Sequence, residues 1–329
     1  MPPLATDRVF LTGASGFVGG HVLRELRAAG YPIRALMRSR AALEDCEVVV
    51  GDLRRSGDLA RAIEGCRYLV HCAALYSFSP RDRAAIDAVN VAGTAGLLEA
   101  AKLAGVERAV ITSSSATVGH APNGRNANEN DYPSGAAANG TYHRSKLEQE
   151  RAAFAARIPV VAVLPTAPVG PGDWKPTPTG RMVLDVARGA IVAKPPAGGG
   201  MNLVAVEDAA RAHVAALERG REGERYLIGG ENLSFDRIWE SIAEIAGRPL
   251  PRVRVPFGLA LGIGLADDLR CRLLPGARPV VPLEGVRMSV ERMYVDCAKA
   301  RRELGYEPQP VRPALERSVA WYRARGYLD

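Results

Sequence analysis

The sequence predicts an α/β fold, a doubly wound parallel sheet joined to a smaller mixed α/β C-terminal domain. Three observations carry that prediction. Short β-branched runs alternate with Ala/Leu-rich stretches at helical spacing, a glycine-rich turn joins the first strand to the first helix, and the composition changes abruptly at Pro165. Candidate strands are Arg8–Leu11, Ile33–Leu36, Glu47–Val50, Tyr68–His71, Arg108–Thr112 and Val160–Leu164. Between them Val22-Leu23-Leu26, Leu59-Ala62-Ile63 and Leu97-Leu98-Ala101-Leu103 recur every three or four residues, so each helix has one apolar face to lay on the sheet. From Pro165 on, seven prolines to Pro196 and the run Gly198-Gly199-Gly200 interrupt regular structure and place loops where the sheet has just ended. Helices are expected near Asp208–Arg219, Phe235–Ala246 and Ala314–Arg325. The division expected is a first domain over 1–165, with returns near 202–220, and a second over 166–329.

With 329 residues, 47% hydrophobic and 24% charged, the chain has the composition of a folded protein and the length of about two domains. The net charge of +7 is spread without any run of five or six like charges, which argues against nucleic acid and suits anionic small ligands. Cys46, Cys66, Cys72, Cys271 and Cys297 are odd in number and have no C-x-x-C spacing, so neither a disulfide framework nor a metal site is expected and a reducing cytoplasm fits. The first residues run into Val9-Phe10-Leu11 without a charged, apolar and cleavable leader. The longest apolar stretch, Val255–Ala266, is too short to span about 30 Å of hydrocarbon. It reads as a buried or lid helix, with contact at a membrane surface as the alternative.

Thr12-Gly13-Ala14-Ser15-Gly16-Phe17-Val18-Gly19-Gly20 lies between a strand and a helix. Gly13 allows a tight turn, Gly16 lets backbone approach a pyrophosphate, and Gly19 permits close helix packing, while the helix N-terminus offers unpaired N–H groups to an anion. About twenty positions on, where an acidic residue would bind the ribose of NAD, stands Arg38, followed by Ser39 and Arg40. A guanidinium there suits the additional phosphate of NADP. Asp52 in Gly51-Asp52-Leu53 fits either the adenine edge or a turn cap. Tyr142 and Lys146 stand four apart, on one face of a helix, where an ammonium can stabilise a phenolate. Thr112-Ser113-Ser114-Ser115 ends the fifth strand with four hydroxyls, one of which can hold a substrate carbonyl.

In order, Thr12-Gly13-x-x-Gly16-x-x-Gly19, Gly51-Asp52-Leu53, His71-Cys72-Ala73-Ala74, Asn90-Val91-x-Gly93-Thr94, Thr112-Ser113-Ser114, Tyr142-x-x-x-Lys146 and Pro165-x-x-Pro168-Val169-Gly170-Pro171 resemble an extended short-chain dehydrogenase/reductase over nearly the whole chain. Within that superfamily the sequence is similar to the dihydroflavonol reductase-like branch. Inside the branch, Trp174–Arg181 and Glu224–Leu233 look like the hopanoid-associated sugar epimerase-type proteins. The resemblance implies a Rossmann-type first domain, a tyrosine acid/base at Tyr142, a ribose-binding Lys146 and a carbonyl-holding Ser114, with Ser115 as the competing choice. It implies cofactor contacts at Gly13, Ser15, Gly16, Phe17, Val18, Arg38, Asp52, Leu53, Ala73, Ala74, Thr112, Tyr142, Lys146 and Pro165. A homodimer through packed helices is common in the superfamily.

Two departures separate the chain from nucleotide-sugar epimerases. Met201 stands where those enzymes usually carry a phosphate-binding arginine, and Arg38 stands where they usually present an acid. The expectation is therefore an NADP(H)-dependent oxidoreductase, with NAD(H) left open, acting on a ketone or secondary alcohol of a mostly apolar, dihydroflavonol-, steroid- or hopanoid-like small molecule. Its rivals are an NAD-dependent nucleotide-sugar epimerase or dehydratase and a non-catalytic dinucleotide-binding sensor or scaffold. His120 and His213 are read as structural.

Overall fold

The computed structural model describes every residue except 1, 2, 5, 40–42, 44, 45, 78, 79, 134–139, 275, 276, 278, 279, 282 and 329. Arg40, which the sequence pairs with Arg38, lies outside the described residues. The strands are β1 (Val9–Thr12), β2 (Ile33–Met37), β3 (Glu47–Val50), β4 (Tyr68–His71), β5 (Arg108–Thr112), β6 (Val160–Pro165), β7 (Ala167–Val169), β8 (Gly200–Ala205), β9 (Arg225–Ile228), β10 (Glu231–Ser234) and β11 (Arg292–Met293). The helices are α1 (Phe17–Ala28), α2 (Ser56–Ile63), α3 (Arg83–Ile86), α4 (Gly93–Leu103), α5 (Thr141–Phe154), α6 (Pro178–Arg188), α7 (Val206–Arg219), α8 (Phe235–Ala246), α9 (Phe257–Leu273), α10 (Leu283–Met288), α11 (Ala298–Leu304) and α12 (Val311–Ala324).

The chain divides into two compact units. The first takes residues 1–168, 204–229 and 296–309. Its seven-stranded sheet has the order β3-β2-β1-β4-β5-β6-β9 with every pair parallel, the Rossmann arrangement. Parallel strands covered on both faces must be apolar throughout, and β1, β5 and β6 are buried along nearly their whole length. Helix α1 packs with α7, and α2 packs with α4, which packs with α5. The register aligns Thr12 with His71, His71 with Ile111 and Thr112 with Val163, so Gly13, Ala73, Ser113 and Thr166 all leave the same carboxyl edge. Strand order reverses between β1 and β4, and ligands of such folds bind in the crevice outside the strand ends at that point.

The second unit takes residues 169–203, 230–295 and 310–329. Its mixed sheet runs β10-β8-β11, antiparallel then parallel, with β7 also paired to β8. Helix α6 begins where the Thr177 hydroxyl accepts from Gly180 N at 3.1 Å, with Pro178 in the first turn, and ends at Gly189 with φ of 70°. Trp174 meets Trp321 edge to face at 4.9 Å and lies under the Arg325 guanidinium. The Val255–Ala266 stretch forms most of α9, but the expectation of a buried helix is corrected. Only Ala260, Gly264 and Asp267 of α9 are buried, because the helix packs on α10 along one face.

Candidate functional site

All the residues expected to act together belong to the first unit. Gly13 has φ of 79°, and a Cβ there would stand 2.6 Å from Ala73 N, so the turn after β1 tolerates only glycine. A Cβ on Gly19 would fall inside contact distance of the Gly13 carbonyl, which is how α1 comes so close to that turn. Gly16 is the N-cap of α1, has no side-chain cap and has no acid in the following turn. Ser15 and Gly16 are exposed beside it, with Phe17 and Val18 half-buried. Glycine backbone open to solvent, uncapped N–H groups and the positive end of the helix dipole fit a pyrophosphate.

Arg38 is exposed directly beyond β2. Asp52 is held by its neighbour: Arg54 Nη2 lies 2.5 Å from its Oδ2, and the Arg54 amide donates to Oδ1 at 2.9 Å. These contacts pull the Asp52 carboxyl down to about 2 and give it the turn-building role that the sequence left open beside the adenine contact. Leu53 is buried against Gly93, Ala73 N donates to Thr12 Oγ1 at 3.2 Å, Ala74 is exposed, and Pro165 closes β6 in the core.

The hydroxyls after β5 separate cleanly. The Ser113 hydroxyl donates to the buried Glu150 carboxylate, while the Ser114 hydroxyl accepts from Ala116 N at 3.1 Å and hydrogen-bonds to the phenol of Tyr142. Ser115 opens the short 3-10 turn that Ser114 caps. Of the two serines weighed, Ser114 is the one brought to Tyr142. Burial pushes the Tyr142 phenol up to about 12, with the Ser114 contact opposing it, so the group is a proton donor throughout the neutral range. Lys146 is 2% exposed; its ammonium donates to Thr112 O at 3.0 Å and to Gln149 Oε1 at 2.8 Å. Loss of solvation lowers it to about 8, and the nearby Glu150 and Cys72 act to raise it. Two of its three N–H bonds are thus engaged, and one is left for a ligand hydroxyl.

Donor and acceptor counting fixes every proton behind the lysine. Thr94 Oγ1 spends its single proton on Asn90 O at 2.7 Å, so it accepts from Gln149 Nε2 at 3.0 Å and from His71 Nε2 at 2.8 Å. Gln149 must therefore turn its carbonyl to Lys146, and His71 must be neutral with Nδ1 accepting from Thr12 Oγ1 at 2.6 Å. Burial holds His71 down to about 3 and His213 to about 4. His213 lies between Ala209 O and Thr112 Oγ1, at 2.7 and 2.8 Å, as a structural group. Glu150 accepts from Thr117 Oγ1 and faces Arg225 Nε at 2.9 Å, both side chains being about 5% exposed or less. Arg225 in turn donates to Thr117 O and Glu129 O, which fixes the segment that follows Ser114.

Sequence reasoning missed Gln149, and it quoted Asn90 only as part of a motif and gave no contact to Tyr76. Gln149 stands three residues after Lys146, so helical spacing alone could have found it. Asn90 clamps Leu75 through N–H and C=O at 2.7 and 2.9 Å and reaches Ser145, whose hydroxyl donates to Tyr142 O. The Tyr76 ring lies 4.2 Å from that of Tyr142, a contact no local pattern encodes.

A parallel nucleotide-binding sheet whose edge carries a Ser-Tyr-Lys set defines the class of short-chain dehydrogenase/reductases. The chain belongs to the NAD dependent epimerase/dehydratase family, whose pattern matches residues 9–229, and within the superfamily it is of the extended type. It is 38% identical to a Synechocystis protein provisionally described as a dihydroflavonol 4-reductase, across 98% of this chain and 96% of that one. It is 36% identical to sterol demethylase protein B of Methylococcus capsulatus, across 97% and 99%. The crystal structure of gox2253 superposes with a TM-score of 0.85 at 37% identity, covering 98% of this chain and all of that one.

Proposed function

We propose that this chain is an NADP(H)-dependent oxidoreductase that transfers hydride between the nicotinamide and a ketone or secondary alcohol of a mostly apolar, polycyclic substrate. The observation that carries the reading is the hydrogen bond between Ser114 and a neutral, buried Tyr142, in the helix that one turn later carries Lys146. The cofactor, when bound, supplies or accepts the hydride. Ser114 and Tyr142 hydrogen-bond the substrate oxygen, Tyr142 delivers the proton, and Lys146 offsets the phenolate that remains. Gln149 and Thr112 hold Lys146 so that its third N–H is free for a ribose hydroxyl.

Arg38 supports NADP, since an exposed guanidinium beyond β2 attracts a phosphate that a carboxylate would repel. Met201 in β8 and the likeness to a protein named as a sterol demethylase component support an apolar substrate, with the second unit as its binding domain. A nucleotide-sugar epimerase is the second reading, favoured by the name of the matching family.

Fluorescence titration of cofactor-stripped protein separates the two. A preference of about tenfold or more for NADPH over NADH, ~1.4 kcal/mol, supports the reductase. Preference for NADH, or NAD that leaves only on unfolding, moves the epimerase to first place. Tyr142→Phe is expected to abolish turnover of ketones while NADPH affinity stays within a few-fold; a fully active variant overturns the mechanism.

A further inference from the structure

An aromatic ring packs on Tyr142, and proton transfer gives it no task. Tyr76 lies in the segment between β4 and α3, and its ring centroid is 4.2 Å from that of Tyr142 at an interplanar angle of 50°. The segment is braced on either side of the ring. The buried Asn90 amide pairs with the N–H and C=O of Leu75 at 2.7 and 2.9 Å, and the Ser77 hydroxyl donates to Asp82 at 2.6 Å. Asn90 also donates at 3.3 Å to the Ser145 hydroxyl, which donates to Tyr142 O at 2.8 Å, so one amide ties the Tyr76 segment to the first turns of α5. Held in this way, Tyr76 still leaves 43% of its surface exposed, and Leu75 before it 38%. Two large, largely apolar side chains fixed beside a catalytic phenol have the make-up of a preformed ligand wall.

We infer that Tyr76 determines the shape of substrate this site accepts: its ring is the wall on which a rigid, fused-ring skeleton next to the reacting carbonyl lies. The inference rests on the proposed ketone chemistry at Tyr142 and adds the geometry of recognition to it. A carbonyl oxygen that accepts from the Tyr142 phenol lies ~2.8 Å from it. Ser114 beside that phenol is half-buried and Ser145 and Lys146 are buried, so of these neighbours Tyr76 is the one that meets an incoming molecule. The carbon skeleton behind the carbonyl therefore runs alongside the Tyr76 ring. An aromatic face held still by its own backbone suits a partner that is itself flat and stiff, since neither gives up conformational freedom when the two meet. An open chain must freeze a rotor for each carbon it lays on the same face. The contact uses the face of the Tyr76 ring and not its hydroxyl.

Initial rates with NADPH and two ketones of equal carbon number, the fused-ring trans-decalone and an open-chain decanone, test it. The wild-type chain should favour the decalone by kcat/KM. Tyr76→Ala should lower kcat/KM for the decalone about tenfold more than for the decanone, with the loss carried by KM, because a contact made alike in ground and transition states changes binding and not rate. Tyr76→Phe, which keeps the ring, should retain the preference. Equal losses on the two ketones would show that Tyr76 only supports the Tyr142 ring, and they overturn the inference. So does a wild-type preference for the decanone, or a Tyr76→Phe protein as unselective as Tyr76→Ala. A wild-type chain that binds NADPH and reduces neither ketone overturns the proposed reduction itself, and the inference with it.

Discussion

At the scale of single residues, the site is organised around one lysine whose charge is set by what it touches. Glu150 and Cys72 lie near enough to favour the Lys146 ammonium, neutral His71 lies behind it, and lost solvation opposes them. Because Lys146 sits near 8, activity that needs its ammonium should fall as pH rises through about 8. Gln149→Leu removes one of its two acceptors and should move that midpoint to lower pH, whereas Gln149→Glu adds a neighbouring negative charge and should move it higher. The pH dependence of NADPH affinity reads both shifts without needing a substrate. An unchanged midpoint in both variants would show that Gln149 only fills space. Tyr142 and Lys146 are singled out less by their helical spacing, which ordinary helices share, than by the ordered motifs around them, the glycine turn and the hydroxyls after β5. Gln149 was passed over because a glutamine announces nothing until its partner, Thr94 in another helix, is known.

At the scale of elements, the glycine turn and α5 carry different loads. Gly19→Ala would drive its methyl into the Gly13 carbonyl and push α1 off the turn. A loss of stability of ~1–3 kcal/mol is expected, with a larger proportional loss of cofactor affinity, measured by denaturant melts and fluorescence titration. Glu150→Gln removes the carboxylate paired with buried Arg225 and should cost ~3–5 kcal/mol in the same melts. Strands β3, β4 and β5 begin and end where the sequence places them; for β4 and β5 the reason is the continuous apolar signature of a buried parallel strand, whereas β3 lies at the sheet edge with both ends exposed. The π-helical turn Asp87–Ala92 and the Glu150–Arg225 pair were not legible. One depends on how two helices join, and the other links residues 75 apart in sequence that meet only across the sheet.

At the scale of the whole molecule, acid sensitivity follows from two buried histidines. Both have folded-state values below the 6.5 of an exposed imidazole, so below that pH the unfolded chain takes up protons that the folded chain resists. Stability should therefore be full above about 6.5 and fall as pH drops, with each histidine contributing up to ~1.4 kcal/mol per pH unit until about 4 for His213 and about 3 for His71. Melting curves at stepped pH check this, and His71→Asn should flatten the acid branch. The discontinuity of the first unit has another outcome, for its birth on the ribosome. Strand β9, the last partner in its sheet, is translated well after β6, with a stretch of the other unit between them, and residues 296–309 follow later still. At ~5–20 residues per second the nascent chain spends several seconds with the β6 edge unpaired, so its synthesis should lean on chaperones that shield strand edges.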